Sequence, residues 1–217
     1  MNGQTAVVLG ATGLIGSEVV KQLLNDDGFA KVRVLVRRPL DIQHPKLETI
    51  ITNFSNYEEY KLNLGTGDCI FSCIGTTNAK VKGDKLLYRT IDFDIPVNAA
   101  RFGKEAGFQQ FLLVSAAGVD PSSRIFYARL KAEVEEVITT FNYYSFHIFR
   151  PSLLLGDRKE KRFGESMSKF FMTLFSFMIP SKYKSIHGSV VAAAMIRAAK
   201  KATKGLSVYY YSDMISK

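Results

Sequence analysis

The chain has 217 residues, 47% hydrophobic and 23% charged, which fits one globular domain with a sizeable core and excludes a low-complexity polymer. No apolar run reaches the roughly 18 residues of a membrane-spanning helix, and the N-terminus lacks the basic and apolar regions of a signal peptide, so a cytoplasmic protein is expected. The net charge of +9 is scattered in small clusters with no zinc-finger or RNP-type signature, so no specific nucleic-acid partner is expected.

The first strand, Ala6 to Leu9, stops at Gly10, and Gly13 and Gly16 follow at three-residue spacing before a helix from Ser17 to Leu24. A strand, a glycine turn and a helix N-terminus in that order form a pyrophosphate cradle. The turn lets backbone approach the anion, and the first helical amides and the helix dipole face it. The spacing is GxxGxxG rather than the commoner GxGxxG. Lys31 to Val36 is a second strand ending in Arg37-Arg38-Pro39. In a Rossmann-type sheet this position meets the adenosine ribose, where an acid accepts from the 2′-hydroxyl of NAD and an arginine suits the 2′-phosphate of NADP. Two arginines and no acid favour NADP(H) over NAD(H).

Leu47 to Thr52 reads as a third strand, followed by Asn53-Phe54 and a short helix near Tyr57 to Leu62. Asp68 to Ile74 reads as a fourth, carrying Cys69 and Cys73. Their spacing is too long for an unstrained disulfide, and both read as core thiols in a reducing compartment. Gly75-Thr76-Thr77-Asn78 forms a second small-residue loop at a strand end, where ligands of open α/β sheets sit. Lys80 to Lys85 reads as an exposed loop. Asp92 and Asp94 before Pro96 read as a capped helix start, closed by Gly107.

Gln110 to Val114 is a fifth strand, followed by Ser115-Ala116-Ala117-Gly118. A helix then runs from Tyr127 to about Phe141, with Tyr127 and Lys131 sharing one face at i, i+4 and Glu133, Glu135 and Glu136 outside its apolar face. Phe146 to Phe149 is a sixth strand ended by Arg150-Pro151-Ser152. A polar loop from Gly156 to Gly164, an aromatic and Met-rich helix from Glu165 to Met178, an alanine-rich helix from Ser189 to Lys201 and a strand from Leu206 to Tyr211 complete the chain. The alternation predicts a single α/β Rossmann-type domain over 1–217 with a doubly wound parallel sheet. The stripe Met167, Phe170, Phe171, Leu174, Phe175, Met178 reads as core by its helical spacing or, within the small substrate-covering region over 151–187 that the resemblance named below implies, as an apolar substrate wall. Lys169, Lys182 and Lys184 around it make membrane contact a further reading. His44, His147 and His187 lack partners at ligand spacing and read as structural, so no metal site is expected.

A hydroxyl, a phenol and an ammonium held together have a chemical logic. A phenol with pKa of about 10 is a poor acid or base at neutral pH, an ammonium within a few Å favours its ionised form, and a serine hydroxyl can hold a substrate oxygen. Gly10-x-x-Gly13-x-x-Gly16, Ser115 and Tyr127-x-x-x-Lys131, in that order, resemble the short-chain dehydrogenase/reductase superfamily. Val36-Arg37-Arg38, Cys73 to Thr77, Glu133, Phe149 to Ser152 and Gly156-Asp157-Arg158 carry a closer likeness to its atypical, Tat-interacting oxidoreductase-like members. The likeness covers nearly the whole chain, residues 4–200.

The resemblance implies Tyr127 as acid/base, Lys131 as the cation that tunes it and bonds the nicotinamide ribose, and Ser115 as the group that orients the substrate. It implies a dinucleotide held by Gly10, Thr12, Gly13, Leu14, Ile15, Gly16, Arg37, Arg38, Asn53, Phe54, Cys73, Ile74, Gly75, Thr76, Tyr127, Lys131, Pro151 and Ser152. Asn53 stands where relatives usually carry Asp, and Ser152 where the superfamily often has Gly. Two functions follow: hydride transfer between NADPH and a small, partly apolar carbonyl or alcohol, or a non-catalytic NADPH-binding regulator of a protein partner. The helices of Pro96 and Tyr127 commonly form dimer surfaces in relatives, and either a monomer or a homodimer is compatible.

Overall fold

Short β-branched and aromatic runs, buried on both faces, set the architecture of the computed structural model, which describes residues 3–155 and 184–216. The strands are β1 (Gln4–Leu9), β2 (Phe29–Val36), β3 (Leu47–Ile51), β4 (Cys69–Ser72), β5 (Gln110–Val114), β6 (Ser145–Phe149), β7 (Leu154–Leu155), β8 (Ile186–His187) and β9 (Gly205–Tyr209). Seven of them form one sheet in the order β3-β2-β1-β4-β5-β6-β9, every pair parallel. β7 and β8 pair separately, in parallel, at the two ends of residues 156–183. The helices are α1 (Leu14–Leu24), α2 (Tyr57–Leu64), α3 (Lys85–Arg89), α4 (Ile95–Glu105), α5 (Phe126–Thr139), α6 (Gly188–Lys201) and α7 (Tyr211–Ile215).

The period-two alternation of β1 divides the core. Ala6 and Val8 face a layer with Val19 and Leu23 of α1 and Val191 and Met195 of α6. Val7 and Leu9 face the other, with Tyr60 and Leu64 of α2, Ala99 and Phe102 of α4, and Val134 and Ile138 of α5. The expected doubly wound α/β sheet is therefore present. Its strand order reverses between β1 and β4, and the crevice beyond their C-terminal ends is where such sheets bind ligands.

Several local expectations are corrected. Cys73 lies beyond the end of β4, half-buried, while Cys69 is fully buried within it. Burial pushes the Cys73 thiol up to about 12 and Cys69 higher still. The Lys80 to Lys85 stretch is not simply exposed: Val81 is buried, and Asp84 caps α3 by accepting from the amides of Leu86 and Leu87. Asp92 and Asp94 do not cap a new helix. α3 runs into α4 through a single wide turn, Thr90–Asp94, and neither residue makes a side-chain cap. The last strand stops at Tyr209, and Tyr211, read as its end, opens α7. The polar loop from Gly156, the Met-rich helix and stripe, Lys169 and Lys182 lie outside the described residues.

Candidate functional site: a dinucleotide crevice beside a buried lysine

The glycine turn is required by contacts, not by composition alone. Gly10 has φ +79°, and a Cβ there would lie 2.5 Å from the Cys73 carbonyl oxygen. A Cβ on Gly16 would lie 2.1 Å from the Gly10 carbonyl oxygen, so helix α1 can pack this close to the turn only without a side chain. Gly13 is the N-cap of α1, with no side-chain cap, and its amide donates to Gly10 at 2.9 Å. Thr12 and Gly13 are exposed, Leu14 is half-buried and Ile15 is buried. The first turn of α1 thus presents backbone amides and a positive dipole end at a cradle that side chains would fill. A pyrophosphate fits these residues.

Around the cradle stand the other predicted positions. Arg37 and Arg38 are exposed immediately beyond β2. Asn53 follows β3, but its side chain turns into its own loop: Oδ1 accepts from the Ser55 amide at 3.1 Å. Phe54 packs edge-on against Tyr60, ring centroids 4.8 Å apart. Cys73 and Ile74 back onto Gly10, and Gly75 and Thr76 continue that loop toward Asp92 in the wide turn before α4. Pro151 is buried and accepts from the Ala117 amide at 2.8 Å, while the Ser152 hydroxyl donates to the Lys184 carbonyl.

Tyr127 and Lys131 do come together on α5. The Lys131 Nζ lies 5.9 Å from the centre of the Tyr127 ring. Tyr127 is 37% exposed, and its ring meets Tyr88 edge-on at 6.2 Å. Tyr88 in turn donates its hydroxyl to the Thr76 carbonyl at 3.3 Å. Lys131 is only 3% exposed and is paired with Asp92, whose side chain is fully buried: Nζ to Oδ1 is 3.1 Å. The other carboxylate oxygen accepts from the Thr76 amide at 2.8 Å. Burial raises the Asp92 carboxyl above its ordinary range, and Lys131 and the Thr76 amide oppose that shift. Asp92 therefore ties the β4 loop to Lys131, a role its reading as a helix cap missed. The wide turn at Thr90–Asp94 aims it inward, and such turns recur at functional sites.

Ser115 follows β5 as expected, yet its hydroxyl proton is engaged. Oγ donates to Glu135 Oε1 at 2.5 Å, where the sequence reading had it hold a substrate oxygen. Glu135, read as lying outside the apolar face, is only 6% exposed. Arg150 grips it with two bonds, Nε to Oε1 at 3.1 Å and Nη2 to Oε2 at 2.5 Å, and donates from Nη1 to the Tyr210 hydroxyl at 2.6 Å. The Glu135 carboxylate holds the Arg150 guanidinium above its ordinary pKa. The signal for Glu135 was available: Tyr127, Lys131 and Glu135 recur every four residues and lie on one ridge of the helix.

The sequence model of a family described as NAD(P)H-binding matches residues 10–169. Rat HTATIP2 is 32% identical over 178 residues, covering 80% of this chain and 73% of that protein. FMP52 of Coccidioides immitis is 34% identical over 175 residues, covering 75% and 71%, and FMP52 of Candida glabrata is 33% identical over 221 residues, covering 97% and 93%. The FMP52 relatives are named mitochondrial, which overturns the cytoplasmic expectation drawn from the N-terminus. The fold is shared with a UDP-N-acetylglucosamine 4-epimerase of Methanobrevibacter ruminantium (TM-score 0.73, 19% identity, 97% of this chain and 77% of that one). It is shared equally with the Bordetella bronchiseptica enzyme WbmH in complex with NAD+ (TM-score 0.73, 17% identity, 96% and 76%). The chain belongs to the NAD(P)H-binding family, in the atypical short-chain dehydrogenase/reductase branch that holds HTATIP2 and FMP52.

Proposed function

We propose that this protein is an NADPH-dependent oxidoreductase acting on a small, partly apolar carbonyl or alcohol. The observation that carries the reading is the Lys131 ammonium beside the Tyr127 ring, tied through Asp92 to the loop that backs onto the glycine cradle. Amides of the first turn of α1 hold the pyrophosphate, and Arg37 and Arg38 hold the 2′-phosphate. Asn53 and Phe54 border the adenine, the 73–76 loop and Pro151-Ser152 border the nicotinamide half, and Lys131 bonds its ribose. When bound, the dinucleotide supplies or accepts a hydride. The half-exposed Tyr127 phenol exchanges the proton with the substrate oxygen, and Ser115, fixed by Glu135 and Arg150, orients the substrate. The naming of the FMP52 relatives supports a mitochondrial location, which organelle fractionation checks.

The second reading is a non-catalytic NADPH-binding regulator. The engagement of the Ser115 proton by Glu135 favours it, because a substrate carbonyl then finds one donor fewer. Oxidation of NADPH over a panel of aldehydes and ketones separates the two. The enzyme reading expects turnover that falls at least about a hundredfold in Tyr127→Phe while NADPH binding persists. Undiminished turnover in that variant would remove Tyr127 from the mechanism. No turnover with any compound, together with a protein partner captured only in the presence of NADPH, would favour the regulator.

A further inference from the structure

The pairing of Lys131 has a consequence for which redox form of the cofactor the site accepts, and it rests on the dinucleotide reading above. Both partners are almost fully buried, 3% and 0% exposed, and both carboxylate oxygens of Asp92 are used, one by Lys131 and one by the Thr76 amide. The neighbouring charges of α5 are likewise paired across elements. Arg89 of α3 grips Glu133 with two bonds, 2.8 and 2.6 Å, and Arg150 grips Glu135. Among these groups, positive and negative charges match one for one.

The two redox forms of a nicotinamide dinucleotide differ by one positive charge on the ring. An uncompensated ammonium at Lys131 would repel the oxidised form and leave the reduced form unaffected. We infer that Asp92 is a positioning residue that fixes Lys131 and offsets part of its charge beside the crevice, so that the ammonium still faces the Tyr127 ring while the protein retains the oxidised cofactor about as well as the reduced one. The arrangement suits a protein that must hold both forms, whether through a catalytic cycle or as a reporter of the NADP+/NADPH ratio.

The test is calorimetric titration with NADP+ and with NADPH of the wild type, Asp92→Asn and the double variant Asp92→Asn/Lys131→Met, read as the ratio of the two dissociation constants. Asn keeps the size of the side chain and an acceptor for the Thr76 amide, and removes only the charge. In Asp92→Asn the ratio should shift against NADP+ by about tenfold, the effect of one uncompensated charge in a half-buried site. In the neutral double variant it should return to within about twofold of wild type. A merely structural Asp92 would weaken both forms equally, and an unchanged ratio in a folded Asp92→Asn protein overturns the inference. If that variant does not fold, Lys131→Met alone decides it: the uncompensated Asp92 carboxylate should shift the ratio toward NADP+ by about tenfold, and an unchanged ratio overturns the inference. Failure of the wild type to bind either form would instead overturn the dinucleotide reading, and this inference with it.

Discussion

The glycine turn after β1 and the polar ridge of α5 meet at the same end of the sheet, yet they are assembled in different ways. The turn is local: Gly10, Gly13 and Gly16 fall within one seven-residue stretch, and their constraints come from backbone a few residues away or from the adjacent strand end at Cys73. The ridge is assembled from distant segments. Lys131 meets Asp92, Glu135 meets Ser115 and Arg150, and Arg150 reaches Tyr210, so five separate stretches of chain must come together before all of these groups are satisfied. A cradle made of backbone tolerates change everywhere except at its glycines. A ridge of buried charges depends on every partner, because the loss of one strands another.

That contrast orders the expected effects of mutation. Glu135→Ala leaves Arg150 partly buried without its carboxylate and Ser115 without an acceptor, and should cost about 3–5 kcal/mol in urea unfolding. If the loss stays below about 1 kcal/mol, the ridge is not a dependent network. A different buried group, on β6 and bonded to Tyr209, sets the acid limit. His147 is fully buried, and burial lowers its pKa from 6.5 to about 4. Its neutral form therefore contributes stability present above pH 6.5, which is lost as pH falls toward 4. At 1.36 kcal/mol per unit the contribution is about 3 kcal/mol, and His147→Phe should flatten that limb of the stability–pH curve. An unaltered limb in that variant would move the acid sensitivity to the paired carboxylates.

Gly16→Val should cost about 1–3 kcal/mol, since its Cβ would meet the Gly10 carbonyl at 2.1 Å, and should abolish NADPH binding by displacing the first turn of α1. Retained binding would show that the turn is not the cradle. Arg37→Ala with Arg38→Ala, both exposed, should change stability by no more than about 0.5 kcal/mol while altering cofactor choice.

The same contrast explains what was legible in the sequence. The parallel sheet and the glycine turn follow from strand–helix alternation and from spacing within short windows, and both are present. Tyr127 and Lys131 were legible because they share one helix face. Asp92 was not: a second acid and a proline close behind it imitate a helix cap, and only the wide turn between α3 and α4 turns it toward Lys131. Glu135 was read as a surface residue because a charged side chain in a helix is usually solvated. Its burial depends on Arg150, which arrives from β6. Ser115 was placed correctly at its strand end, but the direction of its proton is set by Glu135, twenty residues away in sequence.

The central claim is that the end of the sheet at β1, β2 and β4 holds a dinucleotide through the glycine turn and selects its phosphate through the arginine pair. Calorimetric titration of the wild type and the Arg37→Ala, Arg38→Ala variant with NADPH and NADH tests it most directly. The account predicts that NADPH binds the wild type at least about ten times more tightly than NADH and that the variant loses this preference while still binding NADH. Equal affinities in the wild type, or binding of neither, would contradict it.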